Sequence, residues 1–371
     1  MALFLIQKLK RDSIRISDGK KCIMIKIRIM KKILIFISAI LALTSSCENM
    51  NFDYKDYDFK AVYFPFQYPV RTLSLGNDKI DNSLDKLHKF HIGVSIGGLY
   101  AENEKSWTVN YLVDNTLVEN YLINASNDTL RILPSAYYAL NPAGTVPIQK
   151  GSFSGLIEVQ LTDAFFTDPQ AIKGNYVIPL KITATSADSI LKGLPVSTLT
   201  VSPDRHVESH WESLKTPKDY TLFGIKYINP YHGKWLRRCQ IVEKDPTNTN
   251  VIQTIVIRNK YIERDQIVAL NTTSMSDVIS NYVGNSFSSK MNISVSGTNV
   301  TITPVTGAVL AATGTGSFVT NGESWGGKPY DALYLNYNYV LSSGNVCTVN
   351  DTIVLRDRGI VIQEARPLLI P

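Results

Sequence analysis

Cysteine is scarce in this chain, and the scarcity excludes several classes of protein. The 371 residues hold four, Cys22, Cys47, Cys239 and Cys347, with no Cys-x-x-Cys pair and no zinc-finger spacing. A disulfide-dense scaffold and a structural zinc site are therefore excluded. Cys239 and Cys347 lie in strand-like runs of the same half, and either pair or stand as two separate buried thiols. A Gly-x-Ser-x-Gly elbow, a P-loop and a dinucleotide fingerprint are also missing. So are long amphipathic helical patterns. The strongest apolar run, Ile33–Leu43, has eleven residues, short of the roughly 20 that cross a bilayer as a helix.

That run is informative for what flanks it. Met30, Lys31 and Lys32 precede it, and Thr44, Ser45 and Ser46 lead into Cys47. A basic start, an apolar middle and small residues before a cleavage point form an export signal. Ending on cysteine, the stretch resembles a lipobox, which implies that Cys47 carries the lipid anchor. Residues 1–46 are read as a leader with translation starting at Met30, and 47–59 as an acidic, aromatic tether. The acidic residues soon after the cysteine resemble the surface-export signal of Bacteroidetes lipoproteins, which implies a lipid-anchored, outward-facing location on the outer membrane.

The leader also carries the charge. The whole chain is +6, but ten basic and two acidic residues precede Cys47, which leaves −2 for the remainder. No basic face is left to condense on phosphates, so nucleic acid is excluded as a partner.

From residue 60 the sequence reads as short strands between turn signals. Trp107-Thr-Val109-Asn-Tyr111-Leu-Val113 and Leu333-Tyr-Leu335-Asn-Tyr337-Asn-Tyr339 alternate with period two. Gly97-Gly98, Asn141-Pro142 and Lys173-Gly174-Asn175 supply turns. Helices are expected only at Asn115–Asn124 and Met275–Tyr282. Ser202-Pro203-Asp204 breaks the pattern. The expected organisation is all-β: an immunoglobulin-like β-sandwich over 60–203, a linker over 204–219, and an antiparallel β-barrel over 220–371.

Leu133-Pro134-x-x-Tyr137, Gly151-x-x-Ser154-Gly155-x-Ile157-x-Val159-x-Leu161 and Tyr176-Val-Ile-Pro179-Leu-Lys-Ile182 are together similar to the N-terminal module DUF1735 of Bacteroidetes surface lipoproteins. That resemblance implies the immunoglobulin-like fold. Gly233-x-Trp235, Gly322-Glu-Ser-Trp325-Gly-Gly and Asp351-Thr-Ile-Val-Leu-Arg356-Asp-Arg358 resemble the DUF4361 module. An early Gly-x-Trp with a late arginine is also reminiscent of lipocalin-like (calycin-type) barrels. The two resemblances imply a glycan-binding lipoprotein of a polysaccharide-utilisation system.

No catalytic constellation survives inspection. Asp53-x-x-Asp56-x-Asp58 has the aspartate spacing of a chitinase-type motif, but the catalytic glutamate position holds Lys60, which cannot serve as the acid. Glu323 with Asp331, and Glu263 with Asp265, read as surface charge. His206 and His210, four apart, read as a solvated linker pair rather than metal ligands. No enzyme activity, cofactor or metal is expected. Aromatic side chains are the remaining signal, because flat rings stack on sugar faces. Trp325 and Tyr330 in a glycine-rich loop, together with Trp211 in the linker, are the candidate ligand-binding residues. A polysaccharide or oligosaccharide is the expected ligand. A structural or adhesin-like role binding an outer-membrane transporter or other surface protein is the alternative, and a cryptic glycoside hydrolase a third.

Overall fold

The computed structural model describes Met30 and residues 55–369 apart from 101, 124–127 and 365; residues 56–371 cluster as one unit. Cys47, most of the leader and the start of the tether lie outside the described residues. Among the described residues no helix is long and apolar enough to cross a membrane.

The chain is all-β. Its first part contains β1 (Ala61–Tyr63), β2 (Pro69–Ser74), β3 (Lys89–Gly97), β4 (Trp107–Val113), β5 (Tyr121–Ile123), β6 (Arg131–Ile132), β7 (Tyr138–Asn141), β8 (Thr145–Ile148), β9 (Ser154–Leu161), β10 (Tyr176–Thr185), β11 (Ser189–Ile190) and β12 (Tyr220–Ile228). The second contains β13 (Gly233–Lys244), β14 (Val251–Ile257), β15 (Gln266–Thr272), β16 (Asp277–Ser280), β17 (Met291–Ser296), β18 (Asn299–Pro304), β19 (Thr313–Trp325), β20 (Lys328–Val340) and β21 (Val346–Asp357), with β22 (Gln363–Glu364) and β23 (Pro367–Leu369) after it.

A sandwich forms from the sheet β11-β1-β3-β9-β7 and the sheet β22-β2-β12-β10-β4-β8, with β6 added beside β10. Alternation determines which face is buried: Phe90, Ile92, Val94 and Ile96 of β3 enter the same core as Ile157, Val159 and Leu161 of β9. Lys89 and Glu158, diagonal neighbours on the outer face, pair at 3.0 Å. This is the period-two division of a strand with one face buried.

The barrel closes because β13 pairs with β15 at one flank and with β21 at the other. The ring β13-β15-β16-β17-β18-β19-β20-β21 thus has eight strands, and β14 pairs with the far half of β13 outside it. Inward residues fill the interior, among them Trp235, Ile241, Leu333, Leu335, Val349 and Ile353. One polar cluster is sealed among them. Arg237, fully buried, donates Nε to Asp351 Oδ1 at 2.9 Å and Nη2 to Oδ2 at 3.1 Å. Tyr282 and Tyr337 donate their hydroxyls to the same carboxylate at 3.1 and 2.9 Å. A buried charge is tolerable only when paired and hydrogen-bonded in this way. Burial raises both phenols well above their ordinary value, so they stay protonated donors.

Three sequence expectations change. Tyr220–Ile228 does not open the barrel. As β12 it pairs antiparallel with β10 and parallel with β2, completing the sandwich. Met275–Tyr282 is not a helix: Val278 and Ser280 of β16 point inward, and Ser274 Oγ bonds the Asp277 carboxylate in a turn rather than capping a helix. Asn115–Asn124 is not one helix: Asn115–Val118 forms a single 3-10 turn, and Tyr121–Ile123 is β5. Cys239 and Cys347 are both free and buried; the register sets Cys239 opposite Asp351 and Cys347 opposite Glu243.

Candidate ligand-binding cleft

The longest hairpin of the barrel builds the site. β19 and β20 are joined by Gly326 and Gly327, both left-handed at φ +55° and +75°. Such a two-residue turn fits the twist of a hairpin, and glycine adopts it without strain. Further along, the register jumps from Val319↔Ala332 to Glu323↔Tyr330, so Thr320, Asn321 and Gly322 oppose Asp331 alone. A bulge of this kind bends the strand and re-aims the side chains beyond it. Asp331 Oδ1 accepts from the Asn321 amide at 3.1 Å and fixes the bend.

Beyond the bulge Trp325 and Tyr330 lie diagonally across the hairpin. Their rings stack at 4.5 Å between centroids and 16° between planes. Both are half-buried. Trp325 Nε1 donates to the Leu355 carbonyl at 3.1 Å, which anchors the ring to β21.

The other wall comes from the sandwich, from the loop after β2. Lys79 Nζ lies 5.1 Å from the Trp325 ring centroid and 5.8 Å from that of Tyr330, within cation–π range. Arg358, just past β21, holds this loop in place. It is 3% exposed. Its Nε donates to Asn77 O at 2.9 Å, its Nη1 to His232 O at 2.8 Å and to Pro230 O, and its Nη2 faces Asp331 at 3.6 Å. Asp331, also 3% exposed, in turn accepts from Asn77 Nδ2 at 3.3 Å. Gly76 leaves room for this: a Cβ there would sit 2.4 Å from Arg358 Nη2. Burial pulls the Arg358 pKa down to about 10, opposed by Asp331, so the guanidinium remains charged at neutral pH.

Between the two walls lies a cleft of about 670 Å³, lined by the aromatic pair, Asn77, Asp78, Lys79, Lys328 and Arg356 among others. This size is within the usual range of ligand sites. It offers ring surface beside amide, carboxylate, ammonium and guanidinium groups. A second cleft of about 550 Å³ lies on the sandwich and shares Asp78; its lining is more apolar, with Phe66, Ile80 and Ile360–Ile362.

The candidate residues thus separate. Trp325 and Tyr330 come together. Trp211 does not join them as an exposed aromatic: it is 7% exposed, forms an isolated bridge with Pro195 and donates Nε1 to Asp204 O at 2.8 Å. Its ring packs the linker. His206 and His210 are held by hydrogen bonds, the first between the Tyr68 hydroxyl and the Leu117 carbonyl, the second accepting from the Asp204 amide. Among the described residues no three of His, Cys, Asp and Glu gather to hold a metal. Three of the four carboxylates weighed as acid–base pairs are already engaged: Glu323 accepts from Tyr334, Asp331 faces Arg358, and Asp265 pairs with Arg238, while Glu263 is exposed. Asn77, Lys79 and Arg358 as a set had no motif. The loop was signalled only by the turn-forming Gly76-Asn77-Asp78 after a strand, and Arg358 only by its place at the end of the barrel motif Asp351–Arg358.

A family model described as an N-terminal domain matches residues 54–189, and that of DUF5627, a domain of unknown function, matches residues 230–359. The second takes the place of the DUF4361 module that the barrel motifs resemble. A crystal structure at 2.40 Å of a structural-genomics protein of unknown function from Bacteroides ovatus is 33% identical, with a TM-score of 0.74, over 85% of this chain and 99% of that one. The chain belongs to that protein's family. No curated protein matches it. In this member of the family the DUF5627 match begins at Pro230 and ends at Gly359, so it takes in the barrel, the Trp325 hairpin and Arg358, while the 54–189 match takes in Asn77 and Lys79.

Proposed function

We propose that this protein is a non-catalytic surface lipoprotein, anchored through a lipid on Cys47, that binds glycan in the cleft between the Trp325 hairpin and the loop after β2. The observation that carries the reading is the Trp325–Tyr330 stack at the edge of a cleft with polar groups around it. A sugar has apolar C–H faces and a rim of hydroxyls, and this mixture of ring and hydrogen-bonding groups complements both. The engagement of the nearby carboxylates in structural bonds supports a binding rather than a hydrolytic role. A polysaccharide-utilisation setting with an outer-membrane transporter nearby fits such a protein.

A glycan array and affinity gels test it. Trp325→Ala and Tyr330→Ala should each weaken binding by about thirtyfold, the roughly 2 kcal/mol of a hot-spot aromatic. Unchanged binding in both would remove the site, and hydrolysis of any polysaccharide would overturn the non-catalytic reading. Cys47→Ala should abolish sedimentation with membranes.

A second reading, a protein partner, rests on the apolar lining of the sandwich cleft, where Ile80 and Ile362 are 76% and 100% exposed. Pull-down of a transporter component by the unaltered protein, lost with Ile362→Asp, would favour it.

A further inference from the structure

The Trp325 cleft has a lopsided charge. Its lining carries Lys79, Lys86, Lys328, Arg356 and Arg358 against Asp78, Asp331 and Asp357. Two of those carboxylates are already opposed: Asp331 lies 3.6 Å from Arg358, and Asp357 lies 3.8 Å from Arg356. Three lysines and Asp78 remain. Lys86 Nζ donates to the neutral Asn77 Oδ1 at 3.2 Å, with Asp81 as a more distant carboxylate that feels its charge. Among the described residues none of the three lysines has a carboxylate within 4.0 Å.

This excess is local. Past the leader the chain is net −2, so a positive cleft is not a sample of the general surface. It is also assembled from both domains. Lys79 and Lys86 come from the sandwich, Lys328 from the barrel hairpin, and Lys79 already lies beside the stacked rings. Like charges brought together repel, which costs stability unless a ligand uses them. A neutral sugar needs ring surface and hydroxyl partners, and gains little from three ammonium groups. A carboxylate or sulfate gains directly, since charge-assisted hydrogen bonds are the stronger kind.

We infer that the glycan bound in this cleft is acidic, with the carboxylate of a uronic acid or a sulfate ester met by Lys79, Lys86 and Lys328 while a sugar ring packs against Trp325 and Tyr330. This rests on the proposed reading of the cleft as a glycan site and narrows its ligand class. Exposed ammonium groups act mainly through steering and at low ionic strength, so binding weakens as salt rises.

The test uses the full chain with three probes: polygalacturonate, which carries carboxylates; dextran sulfate; and neutral dextran. One of the two polyanions should bind at least tenfold more tightly than dextran, and which one does so identifies the anion. The triple variant Lys79→Gln/Lys86→Gln/Lys328→Gln should lose about tenfold, a little over twofold for each exposed charge, and its binding should respond less to salt. Trp325→Ala should lose polyanion binding as well. Unchanged polyanion affinity in the triple variant overturns the inference. So does unchanged affinity in Trp325→Ala, which would mark the contact as general electrostatics. Capture of neutral array glycans in a Trp325-dependent way, with neither polyanion bound, also overturns it but leaves the glycan site standing. Binding of no probe and no array glycan removes both.

Discussion

Replacing Arg358 by methionine should loosen the joint between sandwich and barrel. The guanidinium serves carbonyls from both sides, Asn77 from the sandwich loop and Pro230 and His232 at the start of the barrel, and it faces Asp331. Methionine fills much of the volume but donates nothing. It leaves three carbonyls short of a partner and a buried carboxylate without its cation. Removing one member of a buried ion pair costs about 3–5 kcal/mol. Two facts move the value to the lower end. Asp331 keeps the Asn321 amide at 3.1 Å and Asn77 Nδ2 at 3.3 Å. Arg358 is itself strained by burial, its pKa drawn down to about 10. The expected loss is therefore about 3 kcal/mol, read by urea unfolding followed through tryptophan fluorescence. Arg358→Lys should recover only part of it, because an ammonium cannot reproduce the planar fork. A double-mutant cycle with Asp331→Asn isolates the pair term. A loss below about 1 kcal/mol for Arg358→Met, within the ordinary range for a surface substitution, would refute the idea that this residue joins the two domains.

Two further outcomes rest on local geometry. His232 accepts the Thr272 amide on Nδ1 at 3.0 Å, and burial, with Arg358 and Lys226 nearby, lowers its pKa from 6.5 to about 4. The unfolded chain takes up this proton below pH 6.5 while the folded one does not, so the contribution is present above 6.5 and is lost as pH falls towards 4. The shift corresponds to at most about 3 kcal/mol. His232→Gln should flatten the stability curve between pH 7 and 4.5, and an unchanged slope would show that the ring is not held neutral. At the hairpin tip a Cβ on Gly326 or Gly327 meets nothing within 4 Å, so alanine there suffers only from the left-handed backbone. The double alanine variant should lose about 2 kcal/mol and change the Trp325 fluorescence; a melting temperature equal to the parent's would contradict the turn.

How far the sequence reaches depends on how far apart the cooperating residues lie. Strand alternation was legible because it is local: Trp107–Val113 and Leu333–Tyr339 divide into buried and exposed faces much as period two demands. Trp325 and Tyr330 were legible for the same reason, since a Gly-Gly turn sets them diagonally across one hairpin. Tyr220–Ile228 was assigned to the wrong side because an apolar strand carries no mark of the sheet it will join. Its partners β10 and β2 are chosen by pairing across some 40 and 150 residues. Trp211 misled for a related reason: tryptophan in a polar linker reads as exposed until the linker folds back on Pro195. The Arg358 joint was least legible. Arg358 and Asn77 stand 281 residues apart and meet through a backbone carbonyl, which has no residue type to recognise. The cleft inherits that distance. Its aromatic wall is written in one short stretch, and its cationic wall becomes visible only once β12 returns the chain to the sandwich before the barrel begins. A mutation at Gly76 should therefore disturb ligand binding at Trp325, although no motif connects the two.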